Sequence, residues 1–150
     1  MNPYKSLAWT VGIHFFIMYA LTFAAVHAFA DIPLFSTRSL YMAVIMVAPM
    51  VILMVWFMRS MYTNRVYNLF LFGGSALLFL AFFTFIRLQT FVDNERFLQS
   101  MIPHHSSAIT MCEEAAITDQ EIIELCDTII KAQQEEIDQM RTIQQRLTGN

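Results

Sequence analysis

The stretch MIPHHSSAITMCEE, residues 101–114, places nitrogen and sulfur donors close together in the chain. His104 and Met111 are seven residues apart, as are His105 and Cys112, and a seven-residue step on an α-helix returns to within about 20° of the same face. Imidazole, thioether and thiolate are soft donors that suit Cu(I), and imidazole and thiolate also bind zinc. The sequence therefore predicts a metal site for copper, with zinc as the alternative, and its ligands are Met101, His104, His105, Met111, Cys112 and Cys126.

The two cysteines allow other interpretations. They could form a disulfide, which persists in an oxidising compartment, or they could be buried as small apolar side chains. A ferritin-type di-iron centre is not expected, because it needs Glu-x-x-His pairs and no Glu lies three residues before a His. No nucleophile with an orienting base, phosphate-binding loop or cofactor fingerprint is visible, so we expect a binding protein and not an enzyme.

The donors lie in a tail, residues 92–150, that has the pattern of two amphipathic helices. Apolar residues recur on one helical face over residues 97–115, and Pro103 is expected to bend or restart this first helix. Thr118 followed by Glu121 has the spacing of a capping box, which predicts that a second helix starts near residue 119.

A turn near residue 117 would fold the two helices into an antiparallel hairpin. In this hairpin Cys112 lies near residues 123–126, and the imidazole of His105 lies near Gln133, whose buried amide needs a hydrogen-bond partner. About sixty residues in two helices bury little apolar surface. We therefore expect homo-oligomers that form through the hairpin, as in a four-helix bundle.

The preceding part of the chain, residues 1–91, predicts a membrane anchor. Three stretches there contain no Asp, Glu, Lys or Arg: 6–30, 39–58 and 66–86. Each is long enough to cross a hydrocarbon core of about 30 Å at about 1.5 Å per residue. Residues 28–30, Ala-Phe-Ala, resemble a signal-peptide cleavage site, but the first stretch is longer than the apolar region typical of a signal, so we expect it to be retained. The predicted fold is all-α, with three transmembrane helices before the hairpin.

The basic residues predict the orientation of this anchor, because short cytoplasmic loops are enriched in Lys and Arg. Lys5, Arg59 and Arg65 fall on one side of the membrane in a three-span topology, whereas Arg38 and Arg87 fall on the other. The bias places the N-terminus in the cytoplasm and the tail in the periplasm, at a bacterial inner membrane.

The charge of the tail excludes one class of partner. From residue 92 onward there are eleven acidic residues and four basic ones, a net charge of −7. Phosphate would be repelled, so a nucleic-acid binder is not expected, whereas metal cations would be attracted.

Some polar and sulfur-bearing side chains fall inside the apolar stretches. His14 and His27 are thirteen residues apart, which puts them on nearly opposite helical faces and argues against haem ligation. Five methionines recur every four residues along the second stretch: Met42, Met46, Met50, Met54 and Met58. Thioethers on one slanting stripe could pass Cu(I) along the helix, or they could simply fill space between helices.

The tail resembles a known family in the runs FLQSMIPHHSSAITMCEEA and IIELCDTIIKAQQEEIDQM. These look like the ferritin-like domain-of-unknown-function family 305, over roughly residues 93–147. The resemblance implies a small helical domain, a ferritin-like half-bundle, usually exported and in some members linked to copper binding and copper tolerance. The positions that match are Met101, His104, His105, Met111, residues 133–136 and Met140. Cys112 and Cys126 depart from the small residues expected there and indicate a thiol-containing branch.

The sequence thus predicts a membrane-anchored periplasmic metal-binding protein, for copper, that acts in copper homeostasis or tolerance. Its expected partners are the metal ion, the membrane and further copies of the chain. The alternative is a membrane-tethered thiol oxidoreductase that uses Cys112 and Cys126. A structural partner of a respiratory complex is a third possibility, for which no residue argues directly.

Overall fold

The computed structural model describes residues 2–149, which form five α-helices and a short 3₁₀ helix, with no strand among them. The helices are α1 (Pro3–Leu21), α2 (Thr37–Phe57), α3 (Arg65–Leu88), α4 (Asn94–Glu114) and α5 (Gln120–Thr148), and the 3₁₀ helix is Phe29–Asp31. The prediction of an all-α fold is confirmed for these residues. They divide into two compact units: residues 2–22 with 38–91, and residues 23–37 with 92–149.

Within the described chain, two helices are long and apolar enough to cross a membrane, α2 and α3. The expectation of three such helices is corrected to two. The first charge-free stretch is helical only as far as Leu21, and residues 22–28 form turns and bends. α1 is also shorter than α2 and α3, and Lys5 and His14 lower its mean hydropathy.

A buried apolar cluster holds the first unit together. It consists of Leu7 of α1, Val55 of α2 and Tyr62 of the following loop, with further side chains of α1, α2 and α3 packed around it. The Tyr4 hydroxyl accepts a hydrogen bond from the Asn64 backbone N–H at 2.9 Å and lies 3.1 Å from the Asn68 side-chain oxygen. The beginning of α1 is therefore fixed beside the loop that joins α2 to α3.

The methionine stripe of α2 has a mixed environment. Met54 packs against the buried cluster of Leu7 and Val55, whereas Met46 and Met58 are each 37% exposed. Packing between helices therefore accounts for at least one member of the stripe. Passage of copper along the others stays a prediction.

The second unit contains the hairpin of α4 and α5. Its core consists of Leu98, Ile102, Ile109, Ile137 and Met140. α4 runs through Pro103 without interruption, so the expected restart is wrong: the proline lacks the N–H that would bond the Gln99 carbonyl, and the helix tolerates this single loss. Association of hairpins into oligomers stays a prediction that a mass measurement in micelles would test.

The turn of the hairpin and the start of α5 differ in detail from the expected capping box. The N-cap is Asp119, whose carboxylate accepts hydrogen bonds from the backbone N–H groups of Glu121 at 3.0 Å and Ile122 at 3.2 Å. Thr118 lies in the non-helical turn, one residue before the cap. A carboxylate at the cap also interacts favourably with the positive end of the helix dipole, which gives Asp119 an advantage over a threonine.

Candidate functional site

Cys112 and Cys126 form a disulfide that joins α4 to α5 near the turn of the hairpin. Their Cα atoms are 5.3 Å apart, and both side chains are partly exposed. The predicted register, with Cys112 opposite residues 123–126, is confirmed. The sequence allowed these cysteines to be metal ligands, a disulfide or buried apolar side chains, and the structure contains the disulfide. Metal binding through thiolates at these two positions stays a prediction for the reduced protein.

His105 is buried between α4 and α5, and both of its ring nitrogens have partners. Nδ1 lies 2.8 Å from the Met101 carbonyl oxygen, and Nε2 lies 2.7 Å from a carboxylate oxygen of Glu136. The expected partner, Gln133, is wrong by three residues. Glu136 lies three residues beyond Gln133, close to one helical turn further along the same side of α5. A metal ion would have to displace Glu136 to reach His105.

The remaining predicted ligands lie elsewhere on α4. His104 and Met111 are on the exposed side of the helix, and Met111 is 69% exposed. Met101 is partly buried and packs against the hairpin core. Within residues 2–149, no group of three or more His, Cys, Asp or Glu side chains is arranged to hold a metal ion. The six predicted ligands are thus divided between the disulfide, the buried histidine, the edge of the hairpin core and the surface of α4.

A segment that the sequence analysis did not associate with the tail, residues 23–37, packs on α4. The fully buried hydroxyl of Ser106 accepts hydrogen bonds from the backbone N–H groups of His27 at 3.0 Å and Ala28 at 3.4 Å. The His27 ring adds an ion-pair contact, with Nδ1 3.0 Å from a Glu113 carboxylate oxygen. Ser106 therefore fixes the backbone of this segment, and Glu113 fixes the imidazole.

A second contact joins the same segment to α5. Asp31, at the end of the 3₁₀ helix, is buried and accepts a hydrogen bond from the Arg141 guanidinium. Arg141 also lies 3.9 Å from the exposed carboxylate of Asp138. The signal in the sequence was Asp31 itself, because a single acidic residue among apolar neighbours needs a partner if it is buried.

A cleft of about 380 Å³ opens between this segment and the two helices of the hairpin. The apolar side chains of Ile109 and Ile130 line it together with charged and polar side chains, which are His27, Glu113, Lys131, Gln134, Glu135 and Asp138. Three carboxylates against one lysine give the cleft a negative character that favours cations.

A known protein family matches the tail of the chain. Residues 87–144 match the family described as Domain of unknown function (DUF305). The tail is similar to the DUF305 family. This match supports the resemblance seen over residues 93–147, and it covers α4 and most of α5 but less than half of the chain.

A viral protein is similar in sequence to part of the chain. Uncharacterized protein L153 of Acanthamoeba polyphaga mimivirus is 45% identical over 60 residues, which are 39% of this chain and 40% of that protein. The chain therefore matches less than half of the length of this relative. No solved structure matches the chain.

Proposed function

We propose that this chain is a membrane-anchored copper-binding protein that acts in copper homeostasis or tolerance without catalytic turnover. The observation that carries the proposal is the pair of facing cysteines at the turn end of the hairpin, next to an exposed methionine. Met111, which is exposed, precedes Cys112, and Cys112 faces Cys126 across the two helices. Two thiolates and a thioether are a soft donor set that suits Cu(I); zinc is the alternative metal, which thiolates bind but a thioether does not favour.

We also propose that α2 and α3 anchor the DUF305-like hairpin on the periplasmic side of a bacterial inner membrane. Support comes from the basic residues: Arg59 and Arg65 flank the loop between α2 and α3, and the packing of Tyr4 on Asn64 brings Lys5 to the same end of the first unit. Three basic residues at that end favour a cytoplasmic location for it. The hairpin follows the opposite end of α3.

Titration of the reduced full chain with Cu(I), in detergent micelles and against a competing chromophoric chelator, tests the copper proposal. We expect Cys112→Ser and Cys126→Ser each to weaken Cu(I) binding by roughly 1 to several kcal/mol, beyond the ±0.5 kcal/mol typical of a neutral surface change. Met111→Leu is expected to weaken it by less, since a thioether is the weakest of the three donors.

The matched control is Met61→Leu, which changes an exposed methionine outside the hairpin and is expected to leave binding unchanged. His104→Ala and His105→Ala, measured in the same way, separate the imidazoles from the sulfur atoms. Equal Cu(I) affinity in the parent and in all of the cysteine and Met111 variants would contradict the proposed site. Tighter binding of zinc than of Cu(I) would show that the protein binds zinc and not the proposed copper.

The second candidate function, a membrane-tethered thiol oxidoreductase, is favoured by a specific observation: Cys112 and Cys126 are joined in a partly exposed disulfide. Such an enzyme exchanges this disulfide with the thiols of a substrate and turns over repeatedly. It would oxidise a dithiol peptide catalytically in the absence of copper, and Cys112→Ser would abolish this reaction. If each protein molecule oxidises only one dithiol peptide and then stops, the result would instead support the copper-binding function.

A further inference from the structure

The hairpin is unevenly packed along its length. Its buried residues all lie in two short stretches, 98–109 of α4 and 137–140 of α5. We call residues 110–129, which include the turn, the distal segment. None of them is buried. Of its large apolar side chains, Ile117 and Ile129 are partly buried, and the others are exposed, namely Met111, Ile122, Ile123 and Leu125. The apolar core that stabilises the base of the hairpin therefore does not extend to its end.

The disulfide is the main tertiary link within this segment. Isolated helical stretches of fewer than about 12–15 residues are marginal in water, so the helix ends of the distal segment need a cross-link to stay paired. The bond between Cys112 and Cys126 provides it, and it also restricts the unfolded chain by closing a loop with a separation of fourteen residues. The other contact is the ion pair of Glu113 with His27, whose side chains are both more than a third exposed, so it adds little.

We propose that this cross-link is exchangeable, and that a Cu(I) ion bound by Cys112, Cys126 and Met111 replaces the disulfide in holding the distal segment closed. The inference rests on the proposed copper-binding function and names how its site is controlled. The same two sulfur atoms form either the disulfide or the bonds to the metal. In the oxidised hairpin the disulfide keeps the helix ends of the distal segment paired without metal. The reduced hairpin closes only when it is loaded.

The chemistry balances without any change in the oxidation state of copper. A dithiol reductant supplies two electrons and two protons, the bond between the two sulfur atoms breaks, two thiols form, and the reductant becomes a disulfide. Cu(I) then binds the two thiolates, and the two thiol protons are released to solvent.

The geometry permits the exchange. A metal–sulfur bond is about 2.3 Å, so two sulfur atoms on one ion lie up to about 4.6 Å apart and need more room than in the disulfide. The Cα atoms of Cys112 and Cys126, now 5.3 Å apart, can separate to provide this room, because no residue of the distal segment is buried. Met111 is the neighbouring residue on α4 and points about 100° away from Cys112, so its exposed and flexible side chain has to turn toward Cys112 to add the third donor.

Amide hydrogen exchange of the full chain in micelles, read by mass spectrometry, tests the proposal in three states. These are the oxidised protein, the reduced protein after anaerobic removal of the reductant, and the reduced protein with one equivalent of Cu(I). We expect peptides from 110–129 to be protected in the first state, to exchange at least ten-fold faster in the second, and to regain protection in the third. Peptides from 137–147, which begin in the core, serve as the internal reference and should change little.

Two variants make the interpretation specific. In the double variant Cys112→Ser/Cys126→Ser, the amides of residues 110–129 should exchange fast under all three conditions, with or without Cu(I). Met111→Leu should show the same amide exchange as the parent in the oxidised state and in the reduced metal-free state. It should need about ten-fold more free Cu(I) than the parent to regain protection of residues 110–129. A Met111→Leu protein that closes at the same Cu(I) concentration as the parent would remove the thioether from the site.

The outcomes separate this inference from the proposed function. Equal protection of the distal segment in the oxidised and the reduced metal-free protein overturns the inference, whatever copper does. Binding of Cu(I) by the reduced protein without renewed protection overturns the inference and leaves the copper-binding function intact. Absence of Cu(I) binding in every state overturns the proposed function, and the exchangeable cross-link with it.

Discussion

The hydroxyl of Ser106 is a fully buried polar group that serves two backbone donors at once. It accepts from the N–H groups of His27 and Ala28, which lie in a segment without helical hydrogen bonds of its own at that point. A neighbouring serine, Ser107, bonds only the Pro103 carbonyl of its own helix. Two adjacent residues of the same type therefore have very different roles.

We expect Ser106→Ala to destabilise the second unit by about 1–3 kcal/mol, because it leaves backbone N–H groups without their acceptor. Ser107→Ala is the matched control and should stay within about 0.5 kcal/mol, since the lost bond is local to the helix. Native-state amide exchange of peptides from 98–109 measures the difference in opening free energy. Equal values for the two variants would mean that segment 23–37 is not anchored through this hydroxyl.

In the candidate site, the sequence predicted which side chains face the inside of the hairpin better than it predicted the residues that they contact. Helical periodicity placed Cys112 and His105 on the inner face of the hairpin, and the disulfide and the buried imidazole agree with that. It could not give the partner of His105, because Gln133 and Glu136 are three residues apart on the same side of α5 and periodicity does not choose between them. It also could not find His27, since a segment without periodicity shows its packing only through tertiary contacts.

The start of α5 is an element whose stability depends on one side chain. Asp119 accepts two backbone hydrogen bonds in the first turn, whereas Thr118, the residue that the capping-box spacing indicated, lies outside the helix. The helix was predicted from its apolar period, and its first residue was displaced by one because Asp is as good a cap as Thr.

Asp119→Ala should cost about 0.5–2 kcal/mol in local helix stability, the usual range for loss of an N-cap. Thr118→Ala, one position earlier, should cost less than about 0.5 kcal/mol. Exchange rates of the Glu121 and Ile122 amides in the oxidised protein report on this turn directly. If Thr118→Ala has the larger effect, the helix begins at the capping box after all.

For the whole molecule, the number of membrane spans decides which basic residues lie on the same side of the membrane. If α2 and α3 cross a membrane, residues 37 and 88 lie on one side, and both parts of the second unit are attached to that side by the chain. Lys5 contributes to the opposite side only if α1 begins there, and the contact of Tyr4 with Asn64 places it beside the loop between α2 and α3. Two spans alone would leave residues 2 and 148 on the same side, so Lys5 counts with Arg59 and Arg65 only if α1 also crosses, and α1 does not reach the hydropathy of α2 and α3.

Single cysteines in a Cys112→Ser/Cys126→Ser background test this topology with a thiol reagent that does not cross the inner membrane. In intact spheroplasts we expect Thr148→Cys to be labelled and Thr63→Cys to be labelled only after lysis. Asn2→Cys should behave like Thr63→Cys only if α1 also passes through the membrane, as the contact between Tyr4 and Asn64 indicates. The physical reason is the preference of Lys5, Arg59 and Arg65 for the cytoplasm, together with the packing that holds the start of α1 beside the loop. Labelling of Thr63→Cys with protection of Thr148→Cys would invert the orientation, and labelling of both would mean that α2 and α3 do not cross. Asn2→Cys labelled together with Thr148→Cys would place the start of α1 on the side of the hairpin, which would contradict the contact between Tyr4 and Asn64.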